Sequence, residues 1–115
     1  MDLSIISLEG EFDLSQRTRL QEAFASVKSS SAVIVDFTKA LYIDSTVLAC
    51  LIELRRARLE QKGRLMLAGL DASLKRVFHV TGLSSVFEAS PTIDEAVKSL
   101  VPRGGETEHL VLEAV

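Results

Sequence analysis

Apolar residues recur along this chain first at the period of a strand and then at the period of a helix, and the alternation repeats to the end. Leu3, Ile5, Ile6 and Leu8 alternate roughly as a strand, which Glu9-Gly10-Glu11 ends. Phe12-Asp13-Leu14-Ser15 leads into a helix with Asp13 or Ser15 as N-cap. Leu20, Ala23, Phe24 and Val27, at i, i+3, i+4 and i+7, form its apolar face. Ser29-Ser30-Ser31 is a turn. From Ala32 the chain is continuously apolar and β-branched up to Asp36, the pattern of a central parallel strand covered on both faces. A six-residue loop reaches Tyr42-Ile43, and Asp44-Ser45-Thr46 then opens a helix running to about Gln61. The first half of that helix is apolar all round. The second carries Glu53, Arg55, Arg56, Arg58 and Glu60, and Gly63 is its expected C-cap.

Arg64 to Ala68 predicts a short third strand. A helix follows Gly69-Leu70-Asp71 with Leu74, Val77, Phe78 and Thr81 on one face, and Gly82 ends it. Val86 to Ala89 reads as a short edge strand. Thr92 and Glu95 then stand at the N-cap and N3 positions of a last helix to about Leu100. Pro102 to Gly105 reads as a linker, and His109 to Val115 is apolar and β-prone.

Strands alternating with helices predict an α/β layer, with a mostly parallel sheet of about four strands and about four helices. Residues 1–101 form the expected domain and 102–115 a tail, either disordered or an extra edge strand. The chain's 115 residues suffice for one core without metal or disulfide staples. A net charge of −3 lacks the basic surplus of a nucleic-acid footprint. The lone Cys50, set among Leu48, Ala49, Leu51 and Ile52, reads as a small buried hydrophobe, and one cysteine forms no internal disulfide. With neither a secretory signal nor an apolar run long enough to span a bilayer, the expected home is the cytoplasm, without membrane insertion. His79 and His109 lie thirty residues apart with no cysteine pair beside them, and neither a nucleophile elbow nor a phosphate-binding glycine loop is present. The expectation is a non-enzyme without cofactor or metal.

Chemistry concentrates at Asp44-Ser45-Thr46. A hydroxyl at the start of an apolar helix, near the carboxyl end of a sheet strand, caps the helix in the simplest reading. It is also well placed to carry a phosphate, which backbone N–H groups there favour. Arg55, Arg56, Arg58 and Arg64 read as a solvated helix end, two or three turns from Ser45 at about 1.5 Å per residue.

The order and spacing of several segments resemble the STAS domain, named for sulfate transporters and anti-sigma factor antagonists. They are Leu8-Glu-Gly-Glu-Phe-Asp-Leu14, Val33 to Phe37 ending through Asp36, Ile43-Asp-Ser-Thr46, Gly82-Leu83, Phe87, and Glu95-Ala96-Val97. The resemblance implies a small parallel α/β layer that acts by binding. In the stand-alone antagonists, an anti-sigma factor that is also a serine kinase phosphorylates the hydroxyl after that aspartate. Phosphorylation blocks binding and a serine phosphatase restores it. By this resemblance Ser45 is the phosphoacceptor with Thr46 second. Asp44 orients the loop, Asp36 shapes the nearby surface, and Asp13, beside Glu11, touches the same partner.

Two departures stand out. Val47 occupies the position after the hydroxyl pair, where the family usually has glycine, and is expected to add bulk beside the acceptor. It leaves open a second reading, a constitutive STAS subunit of a membrane transport or signalling complex; a ligand-sensing domain is a third. In addition, most relatives have a further strand before the one ending at Glu9-Gly10, so the sheet edge here is expected to be open. His109 to Val115 is expected to pair on that edge, either in its own chain or in a neighbour's as a homodimer.

Overall fold

A computed structural model describes residues 2–27, 29–100 and 106–114. The elements are β1 (Leu3–Phe12), α1 (Arg17–Ser26), β2 (Ala32–Asp36), β3 (Ala40–Ile43), α2 (Ser45–Glu60), β4 (Arg64–Ala68), α3 (Ala72–Val80), β5 (Glu88–Ser90), α4 (Ile93–Leu100) and β6 (Thr107–Glu113). Every strand pairing is parallel: β1 with β2, β3 and β6, β2 with β4, and β4 with β5. The expected α/β layer is present, with six strands where about four were expected.

Strand alternation divides the core in two. Ile6, Leu8, Val33, Val35, Leu65 and Leu67 face α1, α2 and α3, which contribute Leu20, Phe24, Leu51, Leu54, Leu74 and Phe78. Leu3, Ile5, Ile34 and Met66 face the other way, onto Ala96 and Leu100 of α4. This two-sided burial explains why β2 reads as an unbroken apolar run. Phe78 packs edge-on against Phe37 at 6.3 Å and Phe87 at 5.9 Å, tying α3 to the sheet.

One strand, and the full length of another, differ from expectation. The segment Ala40–Ile43, read as part of a loop, is β3; it is only four residues long and leaves Leu41 and Tyr42 exposed, so it lacks strand alternation. β1 runs on through Glu9-Gly10-Glu11 instead of stopping there, with Gly10 at φ +100° beside a register shift between Gly10 and Glu11. A residue with a side chain is strained at that φ, which is why glycine both looks like a terminator and permits continuation.

The segment expected to cover an open edge does so within its own chain. Residues Thr107–Glu113 pair in register with Leu3–Glu9, and Leu112 is buried in the larger core. The predicted linker over 102–105 lies outside the described residues. The short strand expected at Val86 to Ala89 is shifted to Glu88–Ser90, with Phe87 buried just before it.

The end of α2 differs from its expectation in two ways. Lys62, at φ +56°, takes the left-handed position expected of Gly63, while Gly63 N–H donates to Arg58 O at 2.7 Å. A Cβ on Gly63 would lie 3.0 Å from the Arg58 guanidinium carbon and 3.1 Å from Ser31 O, so glycine is needed for space there. Arg58, expected on a solvated helix face, is 2% exposed. Its guanidinium donates to Ser30 O and to Gln61 Oε1 at 2.8 Å, and burial lowers its pKa. Arg55 donates to Val86 O at 3.1 Å and Arg64 pairs with Glu88 at 3.0 Å, so these residues form structural contacts rather than one basic surface.

Candidate functional site

Register builds the site. Phe12 pairs with Ile43, so the residues that follow, Asp13 and Asp44, leave neighbouring strand ends together. Each aspartate caps what comes next. Asp13 accepts from Ser15 N at 2.8 Å and Ser15 Oγ at 2.6 Å, and Gln16 Oε1 accepts from Asp13 N at 2.9 Å, completing a capping box on a 3-10 turn, Leu14–Gln16. The Ser15 hydroxyl first, and its N–H second, hold the Asp13 carboxyl below its ordinary range. The stabilisation from this cap is therefore present above the unfolded carboxylate pKa and is lost as pH falls through the depressed value.

Asp44 is the N-cap of α2 and accepts from Thr46 N at 2.8 Å. This corrects the simplest reading of Ser45, because the cap is its neighbour. Ser45 is the first helical residue, is exposed, and its hydroxyl makes no hydrogen bond among the described residues. Replacing Asp44 with alanine is expected to cost about 1 kcal/mol, measurable by urea denaturation, as for other N-cap truncations. A change below a few tenths would mean that Asp44 is not the operative cap.

Thr46 is half-buried beside Ser45. Val47 is fully buried in the larger core, so its bulk points away from the acceptor and its side chain cannot meet a partner. Both expectations for it, bulk beside the hydroxyl and partner contact, are corrected for one reason: one residue along a helix turns a side chain by about 100°. Asp36 is also placed differently from its expected surface role. Its side chain belongs to the sheet face opposite α2, on the same side as Ile34. It accepts from Thr38 N at 3.0 Å, Thr38 Oγ1 at 2.5 Å and Ser7 Oγ at 3.3 Å, holding the turn that leads to β3. Gly69 packs against this turn; a Cβ there would meet Thr38 Oγ1 and its backbone N at 2.9 Å.

Two features were missed from the sequence. Arg17 and Gln21 of α1 share with Ser45, Thr46, Ala49, Cys50 and Glu53 a shallow groove of about 240 Å³. Arg17 was unremarkable because nothing local links it to Ser45; packing of α1 on α2 does so. Exposed apolar side chains also lie on the segments next to the two capping aspartates: Leu14 is 66%, Leu41 76% and Tyr42 50% exposed. Glu11, Asp13 and Asp44 add acidic groups to the same two neighbouring strand ends. Cys50 is buried as expected; desolvation, then Glu53, raises its pKa, with Arg17 opposing. Among the described residues no cluster of His, Cys, Asp and Glu suits a metal ion, and no helix is long and apolar enough to cross a membrane.

Comparison with known proteins bears on family and fold. The family model described as STAS domain matches residues 2–96. The chain is 32% identical over 85 residues to an anti-sigma-B factor antagonist of Listeria monocytogenes, covering 72% of this chain and 75% of that protein. Its fold is similar to that of the Bacillus cell fate determinant SpoIIAA in its phosphorylated form, with a TM-score of 0.67, 20% identity, and 84% and 90% of the two chains covered. It is also similar to the STAS domain of a SulP transporter from Vibrio cholerae, with a TM-score of 0.69, 14% identity, and 86% and 80% covered.

Proposed function

The chain belongs to the STAS domain family, and from that premise we propose that it is an anti-sigma factor antagonist switched off by phosphorylation of Ser45. One observation carries the reading: Ser45 is exposed at the first position of a sixteen-residue helix whose capping is already done by Asp44. Modifying its hydroxyl removes no structural hydrogen bond. Backbone N–H groups and the helix dipole favour a phosphate there, and Arg17 lines the same groove. The helix therefore tolerates the modification.

The partner does not. An anti-sigma factor with serine kinase activity would supply nucleotide and catalysis. It would dock on the surface formed by Leu14, Leu41, Tyr42, Asp13 and Asp44, with Ser45 inside it. A phosphate adds about −1.5 to −2 charges within that contact. Repulsion and desolvation release the partner, and a serine phosphatase restores binding. Kinship with proteins named as antagonists supports this reading, as does the fold shared with a phosphorylated SpoIIAA. In this scheme the protein acts in the cytoplasm.

The test is intact mass after incubation with ATP and the serine kinases of the source cell, in parallel with Ser45→Ala. A gain of one phosphate, absent from the variant, is expected. Ser45→Glu should weaken binding to the kinase partner at least tenfold, measured by calorimetry. Equal binding would sink the switch. The same STAS fold in a SulP transporter provides the second reading, a constitutive interaction subunit; a partner that binds the unmodified chain and Ser45→Glu alike would favour it.

A further inference from the structure

β6 is attached unusually for a strand of this sheet. Of its seven residues only Leu112 is buried, so side-chain burial holds it weakly. Three polar attachments reach from it to the framework of the Ser45 site. First, Ala114 N–H donates to Glu9 O at 2.8 Å, while Gly10 N–H donates to Lys39 O at 3.0 Å. Those two groups belong to one trans peptide and point in opposite directions, so a single rigid unit joins the residue that follows β6 to the residue that precedes β3. Second, His109 Nε2 lies 2.7 Å from Ser7 Oγ, whose proton is donated to Asp36 at 3.3 Å. Ser7 then accepts from His109 Nε2–H, and Asp36 in turn holds Thr38 N and Oγ1. Third, Arg19 of α1 donates to Glu113 O at 2.7 Å.

The first two attachments converge on residues 36–40, the turn that runs through β3 into Asp44-Ser45. We propose that β6 is a clamp on this turn: docked, it orders residues 36–43 and so sets the presentation of Ser45; released, it loosens them. A contact made on β6, 62 to 68 residues from Ser45 in sequence, thereby reaches the switch. Control of partner binding by this clamp rests on the reading of Ser45 as the switch, whereas the conformational coupling does not. The packing at Gly10 fits the same picture. A Cβ there would come 3.2 Å from the Ala114 Cβ, so β1 and the end of β6 are in close contact where the register shifts.

The experiment is residue-resolved amide hydrogen exchange on the full chain and on His109→Ala and Ala114→Pro, whose hydrogen bonds go to Ser7 and Glu9 and not to residues 36–46. His109→Ala leaves the buried core intact, and Ala114→Pro removes one donor at the strand end. Expected is at least tenfold faster exchange at Gly10, Thr38 and Ala40, with α3 and β4 unchanged. Acceleration confined to β1 and β6, or spread evenly over the chain, would overturn the clamp, because a merely structural edge strand behaves in those ways. The phosphorylation rate of Ser45, read by mass on the same variants, separates the two ideas. Faster exchange at 38–43 with no phosphate on any variant would keep the clamp and remove the switch. Phosphorylation at one rate throughout, with exchange unchanged, would keep the switch and remove the clamp.

Discussion

Arg58→Ala is expected to lower the unfolding free energy by about 3–5 kcal/mol, the largest effect of any single charged residue here. The guanidinium is 2% exposed and donates to Ser30 O and to Gln61 Oε1, with Val27 O at 3.5 Å. Truncation takes the guanidinium donor from Ser30 O at the α1–β2 turn, a loss of about 1–3 kcal/mol when buried, while Val27 O keeps the Ser30 N–H at 3.0 Å; it also removes the packing of the long buried side chain and opens a void against Gly63. Arg58→Lys should recover less than half, because a single ammonium cannot span acceptors on two elements as the planar fork does. Urea denaturation measures both. A loss under 1 kcal/mol for the alanine variant would mean that the turn closes without it. Partner binding per folded molecule should not change, since Arg58 lies near the far end of α2 from Ser45.

Val47→Gly installs the residue usual in the family at this position and is expected to destabilise by about 3–4 kcal/mol. The side chain is 0% exposed. Burial of a valine is worth about 1.5–3 kcal/mol, and glycine within a helix costs about 1 kcal/mol more than alanine. Thermal unfolding of the two proteins decides the matter. If instead the variant is nearly as stable while phosphorylation of Ser45 accelerates severalfold, then valine does act on the acceptor and the core assignment is wrong. The expectation is the reverse: lower stability and little change in the phosphorylation rate of the folded fraction.

These two residues show where reading along the chain fails. Arg58 lies in a charged helical run, which normally marks a solvated face. Its burial comes from the Ser29-Ser30-Ser31 turn folding over that face, a contact between residues 28 positions apart. Val47 follows the hydroxyl pair in sequence, whereas the helix turns its side chain inward. Ser45 was legible as a position, because Asp44-Ser45-Thr46 before an apolar helix is a local signal. Which of the three caps was not, since Asp, Ser and Thr are all good caps.

The sequence by itself determined the order and type of most elements, the two-sided burial of β2, the cap at Thr92, and the burial of Cys50. Each depends on periodicity or on hydrogen bonds within a few residues: Glu95 N–H, for instance, finds Thr92 Oγ1 at 3.2 Å. Only the tertiary structure decided that β6 closes on its own β1, that Ala40–Ile43 is a strand, that Arg17 shares a groove with Ser45, and that Asp36 turns to Ser7 and Thr38. A strand's partner is chosen by which backbone edge is free nearby, and a polar side chain's role by which groups from other elements reach it. Neither is written in the residues themselves, because both follow from free energy shared between segments far apart in the chain.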